Sequence, residues 1–445
     1  MSFLSVTTRT GVRVRRAFPP ARLVALLLAC SVHAQQVLAA PGLTLAEAQQ
    51  RALARSRQLP AQDASIAASR ELALVAGQLP EPVLRAGIDN LPVSGDDRWH
   101  IGSDFMTMRR IGVMQEFTRA DKRRLRAAQL DGAADKATAE KAVLAARIER
   151  ETAIAWLDLY FAIGMAGVVR EQLEQNRLAL EAAEAAYRGG KGSQADVFAA
   201  RAAIVAVQDR ASEFDRRVKS ARIMLARWVG TDAGLEPAGL PDLAHVRLDE
   251  ATMEAAFAHH PEIRVLDRQE AIAQAGVRLA EANRRPDWSV EVALQQRGQG
   301  YSNMVSVGVS VPLQWDRKNR QDRELAAQLA LAEQAKDERE ELLRAHLADT
   351  HVLLEEWRNG RERLGRYRQE LQPLAGERSA ATLAAYRGAR AALAEVLAAR
   401  RDELDIRLQT LQLEADTARK WAQLSFLYPS GDGPPIPPAG REARP

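Results

Sequence analysis

Residues Ala185–Arg201 read AAYRGGKGSQADVFAAR, and Ala384–Arg400 read AAYRGARAALAEVLAAR. At an offset of 199 residues the two stretches match at ten of seventeen positions. Each follows a long Ala/Leu-rich run and precedes another, so the chain writes one structural unit twice. A repeat on this scale sets the organisation of everything between its copies. Locally, each copy reads as a turn between two helices. In the first, GGKGS (Gly189–Ser193) ends a helix, because glycine reaches the left-handed conformation at low cost. Ser193 then caps the next helix, with Asp196 in its first turn, where the dipole favours a negative charge. No strand precedes GGKGS and the full Walker spacing is missing, which argues against a phosphate loop.

Working outward, Leu43–Pro82 predicts two short helices, broken near Pro60 and stopped around Pro80 and Pro82. Strands are expected at about 83–90 and 108–117. A proline-free helical pattern then runs from Arg119 to Arg188, roughly 70 residues and about 100 Å at 1.5 Å per residue. A further helix follows the turn as far as Trp228. The second half repeats the order: short helices over Leu248–Trp288, with Pro261 and Pro286 echoing Pro60 and Pro82, then strands at about 287–296 and 303–313. A long helix kinked at Pro373 runs to Arg387, and a last helix runs to Leu427. The units are therefore residues 41–230 and 231–428, followed by a proline-rich tail, 429–445, of the composition of disordered segments. Leu144, Ile148, Ala155, Leu159, Ala162, Ala166, Val169, Leu173 and Leu180 form a coiled-coil-like seam on the first long helix, a packing feature with no ligand implied.

Ala, Leu, Glu and Arg dominate, and only 5% of residues are aromatic, the composition of long helices rather than of large globular cores. With 62 basic against 58 acidic residues, charge does not point to a nucleic-acid partner. Met1–Ala40 reads as a secretory signal: Arg9, Arg13, Arg15, Arg16 and Arg22 lead into the apolar run Leu23–Cys30, with cleavage fitting after Ala34. The lone cysteine, Cys30, lies in LLAC, which resembles a lipoprotein acylation site; otherwise it is discarded with the leader. Neither outcome allows an internal disulfide. No later segment is expected to be apolar enough for a transmembrane helix, so membrane contact would fall to strands or to the surface.

Val305, Val307, Val309, Val311 and Leu313 alternate with Ser306, Gly308, Ser310 and Pro312. Trp288, Val290, Val292 and Leu294 alternate in the same way, as do Leu84, Ala86 and Ile88, whereas Arg109 interrupts the apolar side of the first pair. Period two suits a half-buried soluble sheet or a barrel wall between lipid and water. Four strands leave two open edges, which favours the wall: three chains would supply twelve strands, within the range of closed barrels. Phe117, Trp288 and Trp315 at strand ends suit an interfacial aromatic girdle.

The paired Tyr-x-x-Gly-x-x-Ser-x-x-Asp-Val element, the leader and the duplicated helix–hairpin–long-helix order are together similar to the TolC family of outer-membrane efflux proteins, over essentially the whole chain after the leader. The resemblance implies a mainly α fold with a minor β part. Its members are homotrimers whose twelve-stranded barrel sits in outer-membrane lipid and continues into a periplasmic α-helical tunnel. It further implies a periplasmic tip that docks onto an adaptor protein, which joins the duct to an inner-membrane pump. By position, Tyr187, Gly190, Ser193, Asp196 and Val197 match the first tip, and Tyr386, Gly388, Glu395, Val396 and Leu397 the second. Ala389 stands where the family has glycine and Ala392 where it has serine, so the second turn is expected to shift to Gly388. Three copies of Glu395 would converge at the tunnel entrance as a cation-attracting gate, or Glu395 serves only its own helix.

Gly87–Phe117 resembles the subgroup serving heavy-metal exporters of the resistance-nodulation-division (RND) type, with Met106, Met108 and Met114 as conceivable thioether ligands or plain packing residues. No cofactor and no protein-bound metal are expected: the spacings of His259, His260, His346 and His351 do not make a site. No nucleophile motif is present, so the reading is not an enzyme. Its rivals are the same fold exporting drugs or polypeptides, and a periplasmic coiled-coil adaptor or scaffold.

Overall fold

The computed structural model describes residues 42–231, 236–246, 248 and 253–429. The expected leader with Cys30 and the proline-rich tail beyond Pro429 lie outside these residues. In chain order the elements are α1 (Leu45–Arg55), α2 (Gln58–Ala76), β1 (Val83–Asp89), β2 (Met108–Phe117), α3 (Ala120–Arg188) and α4 (Gln194–Val229). The second half gives α5 (Met253–Phe257), α6 (Pro261–Asn283), β3 (Trp288–Gln296), β4 (Met304–Ser310), α7 (Gln321–Arg366), a π turn (Tyr367–Leu371), α8 (Gln372–Arg387) and α9 (Leu393–Ser425).

The four strands form one antiparallel sheet in the order β1-β2-β3-β4. Its central pair joins the two repeats, from Arg109 opposite Gln296 to Phe117 opposite Trp288. The registers align the alternation across all strands. Leu84, Val113, Val292 and Val307 form one cross-strand row, and Ala86, Ile111, Leu294 and Val305 the next. This face is open: Leu84 is 67% exposed, and Val305 and Val307 are each 69% exposed. The opposite face carries Arg85, Gly112, Ala293 and Ser306 in one row. There Glu291 pairs with Arg85 at 3.3 Å and also with Arg110. Gly112 is needed for close strand approach, since a Cβ would lie 2.7 Å from the Ala293 Cβ. Arg109 sits at the loop end of the apolar face, where its guanidinium donates to the Arg297 carbonyl at 3.2 Å. β4 stops at Ser310, short of the expected Leu313, because β3 begins at Trp288 and Pro312 has no N–H to donate.

Where sheet meets helices, the repeats lock together. Lys122, 3% exposed, donates to Asp287 Oδ2 at 2.8 Å, and the Arg119 N–H donates to Oδ1 at 2.9 Å. Phe117 stacks on Trp288 with centroids 4.6 Å apart.

α3 spans 69 residues, about 100 Å. One stretch of it is long and apolar enough to cross a membrane by composition, contrary to the sequence expectation. That stretch is core instead: Trp156, Leu157, Leu159, Phe161 and Val169 are buried against α1, α4, α7 and α9. Of the nine seam residues, Ile148, Ala155, Leu159, Ala162, Ala166 and Val169 are buried, and Leu144, Leu173 and Leu180 toward the two ends are half-buried. Pro373 neither breaks nor ends its helix. The chain stays in the right-handed helical region through the π turn just before it, and that turn absorbs the missing donor.

A belt surrounds the middle of the long helices. The Leu43 carbonyl accepts from Trp156 Nε1 at 2.8 Å and from the Ala238 N–H at 3.1 Å; Trp421 Nε1 donates to the His245 carbonyl at 2.9 Å. Within the belt His260, 4% exposed, accepts from the Glu262 N–H at the start of α6 and stacks on Phe257. Burial, and then the neighbouring His346, push its imidazole down to about 4. The folded protein thus holds His260 neutral, whereas the unfolded chain takes up a proton below about 6.5. Stability conferred by the folded state is complete above that pH and is lost as pH falls toward 4. We expect acidification from pH 7 to 5 to cost about 2 kcal/mol per chain through this group. In thermal melts across that range, His260→Asn, which keeps a cap acceptor, should show a visibly flatter pH dependence than the native protein. Equal slopes would remove His260 from the account.

Candidate docking tip

The two quoted stretches meet at one end of the helical bundle. Ala179, Ala183, Val197, Ala200, Leu393, Val396 and Leu397 form a small core there, with Tyr386 packed against it. Val197, Val396 and Leu397 therefore hold the tip together rather than face a partner. Tyr187, 49% exposed, lies on the surface, as do Gly190, Ser193, Gly388 and Glu395.

The first turn follows from its residues. α3 ends at Gly189 (φ −82°, ψ 4°), and Gly190 takes φ +70°. The Lys191 N–H then reaches back to the Ala186 carbonyl at 2.9 Å, closing the helix end. Ser193 Oγ accepts from the Asp196 N–H at 3.1 Å, while Asp196 Oδ2 accepts from the Ser193 N–H at 3.0 Å. Two orphan donors are satisfied reciprocally.

The second turn has the same path with different residues. Gly388 (φ −84°, ψ 12°) superposes in conformation on Gly189, and Ala389 takes φ +54° in the place of Gly190. The expected shift of the turn to Gly388 does not occur. The closing bonds, Ala389 N–H to the Tyr386 carbonyl at 2.9 Å and Arg390 N–H to the Ala385 carbonyl at 2.8 Å, require the left-handed residue at 389. An alanine there costs about 1 kcal/mol. Ala392, in extended backbone, has no acceptor for the next helix, and only half of the reciprocal cap survives: Glu395 Oε1 accepts from the Ala392 N–H at 3.2 Å. Glu395 thus serves its own helix; a gate role is a separate matter of assembly.

Among the described residues no group of three or more His, Cys, Asp or Glu side chains is placed to hold a metal. His260 and His346 do approach, with centroids 5.0 Å apart, but His346 Nε2 faces Glu262 Oε2 at 2.8 Å. Met108 and Met114 lie on the polar face of the sheet, where the nearby Met304 Sδ accepts from Arg297 at 3.0 Å. Sequence reasoning missed Trp99, Phe105 and Tyr301, exposed at the loop end of the sheet, because loops carry no strand period.

The strained, half-capped second turn gives a direct expectation. Ala389→Gly and Ala392→Ser should each stabilise it by about 1 kcal/mol, read as roughly fivefold slower amide exchange over 384–396. Gly190→Val should have the opposite effect on the first turn. Unchanged exchange in all three variants would show that neither strain nor capping limits tip stability.

Neither a family model nor a curated protein matches the sequence. Solved structures do. The outer-membrane channel OprN aligns with a TM-score of 0.73 at 20% identity, covering 86% of this chain and 89% of its own. The outer membrane protein VceC of Vibrio cholerae gives 0.70 at 17% identity, over 86% and 95%. CusC, described for its transmembrane channel formation, gives 0.72 at 13% identity, over 86% and 92%. At these identities the shared property is architecture, and the chain has the fold shared by the outer-membrane channel OprN, the outer membrane protein VceC and CusC.

Proposed function

We propose that the chain is one third of a passive exit duct of the TolC family, set in the outer membrane of a Gram-negative cell and extending into the periplasm. The observation that carries this reading is the sheet. One face is exposed and largely apolar, with Arg109 and Gln296 at its loop end and Gln115 as polar positions, the other holds paired charges, and β1 and β4 have free edges among the described residues. Water penalises such a face and hydrocarbon penalises such edges, so both are resolved only by closure into a lipid-embedded barrel. Three copies give twelve strands around a polar lumen. In extended backbone from Val305 through β4 and on to Leu313 the apolar positions span about 27 Å, which a tilt near 40° reduces to about 21 Å, close to the height of a membrane-facing band. Trp288 and Trp315 mark its helix end, Trp99 and Tyr301 its loop end.

Such a duct performs no chemistry. An RND-type pump in the inner membrane would supply the energy, and an adaptor would join it to the tip. Heavy-metal cations are the cargo favoured by the resemblance of Gly87–Phe117 to that subgroup. Drugs or polypeptides are the alternative, and a coiled-coil scaffold is a rival of another class. Sensitivity of a deletion strain to zinc or copper, with drug tolerance unchanged, selects metals; the converse rejects them.

Two expectations test the duct itself. Val307→Arg should abolish membrane insertion, at about 2–4 kcal/mol per chain, whereas Ser306→Arg on the opposite face should insert and alter conductance. A water-soluble monomer with both variants indifferent to membranes would end the proposal. Glu395→Gln keeps the cap acceptor but removes the charge, so single-channel recordings should show lower cation preference if three copies face the entrance; unchanged selectivity removes Glu395 from the gate.

A further inference from the structure

The turns that end the bundle are unevenly charged. Residues 185–196 and 384–395 carry four cations, Arg188, Lys191, Arg387 and Arg390, against two acids, Asp196 and Glu395. All four cations are exposed. Both acids are engaged as caps on backbone N–H groups of their own helices, Asp196 at Ser193 and Glu395 at Ala392. Ion pairs begin farther back along the helices, at Arg201–Glu184 and Arg378–Asp402, and none among the described residues takes in the four tip cations. The chain as a whole is almost balanced, 62 basic to 58 acidic, so the imbalance is local.

We propose that the tip recognises an acidic protein surface: the docking end of its partner carries Asp or Glu side chains that meet Arg188, Lys191, Arg387 and Arg390. The proposal rests on the duct reading above and adds the chemistry of the partner to it. With three protomers, twelve cations ring the opening. Exposed charges so arranged act mainly on encounter rate and partner choice, and their effect fades with salt as the screening length shrinks to about 8 Å. A second copy docking tip to tip is disfavoured by like charge. An anionic bilayer is a poorer fit, because the apolar tip residues Val197, Leu393, Val396 and Leu397 are buried against one another, which leaves Tyr187 and Phe198 as the exposed apolar side chains there.

The test uses the full chain in phosphatidylcholine nanodiscs and a synthetic helical hairpin with a Glu/Asp loop, compared with its Gln/Asn twin. The native tip should bind the acidic hairpin about tenfold more tightly than the neutral twin, with the advantage shrinking as salt rises. The variant R188Q/K191Q/R387Q/R390Q should lose that advantage while keeping the native helix content and melting temperature, which verifies folding. Equal binding of the two hairpins, or an advantage that survives in the variant, overturns the proposal. So does a preference for phosphatidylglycerol vesicles over the hairpin, or tip-to-tip pairing of copies. Absence of conductance from the native protein would instead sink the duct reading, whatever the hairpins do.

Discussion

The structure turns on backbone hydrogen bonding that a single chain cannot complete. β1 and β4 each keep one edge without a partner among the described residues, while the sheet between them exposes an aliphatic face. Short strands with charged edges are the usual protection in soluble sheets. Here the flank is Val305, Val307 and Val309 instead, the surface that the proposed barrel closure would cover. The helical part obeys the same logic in milder form. Phe198, Val205 and Ile223 on α4, and Leu329, Leu331 and Val352 on α7, remain exposed at the two flanks of the helical layer.

Between these flanks the protomer is self-sufficient. Alanine lets α3 approach its neighbours closely, and the large residues concentrate at the belt, where indole donors tie connector backbone to the long helices. The buried Lys122–Asp287 pair shows how the sheet is kept in line with the helices. Two repeats far apart in sequence share one charge-assisted contact with almost no water access to the lysine. Asp287 is opposed by burial, but the Lys122 and Arg119 donors outweigh that cost and hold its carboxyl below the ordinary range.

Much of this was legible in sequence. Period two marked β1, β3 and β4, while β2 was placed as the partner of β1 despite Arg109, the seam of α3 foretold its buried side, and the duplicated stretch placed both turns. What escaped depended on contacts that no local pattern encodes. Ala389 lacks the glycine that normally announces a left-handed turn, yet the carbonyls of Ala385 and Tyr386 impose that turn on it. Motif position alone assigns Val197, Val396 and Leu397 to the docking tip, and it is the convergence of α3, α4 and α9 that makes them its core. The apolar stretch of α3 could have passed for a membrane span, and only its neighbours make it core. Pro373 signalled a disturbance correctly, but its form, a π turn, is a property of the preceding residues.

That π turn has a mechanical consequence. An extra residue taken up in one turn rotates everything beyond it by roughly 100°, the angular step of a single residue. The rod made of α7 and α8 is thus two shafts joined out of phase, whereas α3 is one shaft. The face that α8 presents beyond the offset is therefore turned relative to that of α7, whereas α3 carries one continuous seam along its length.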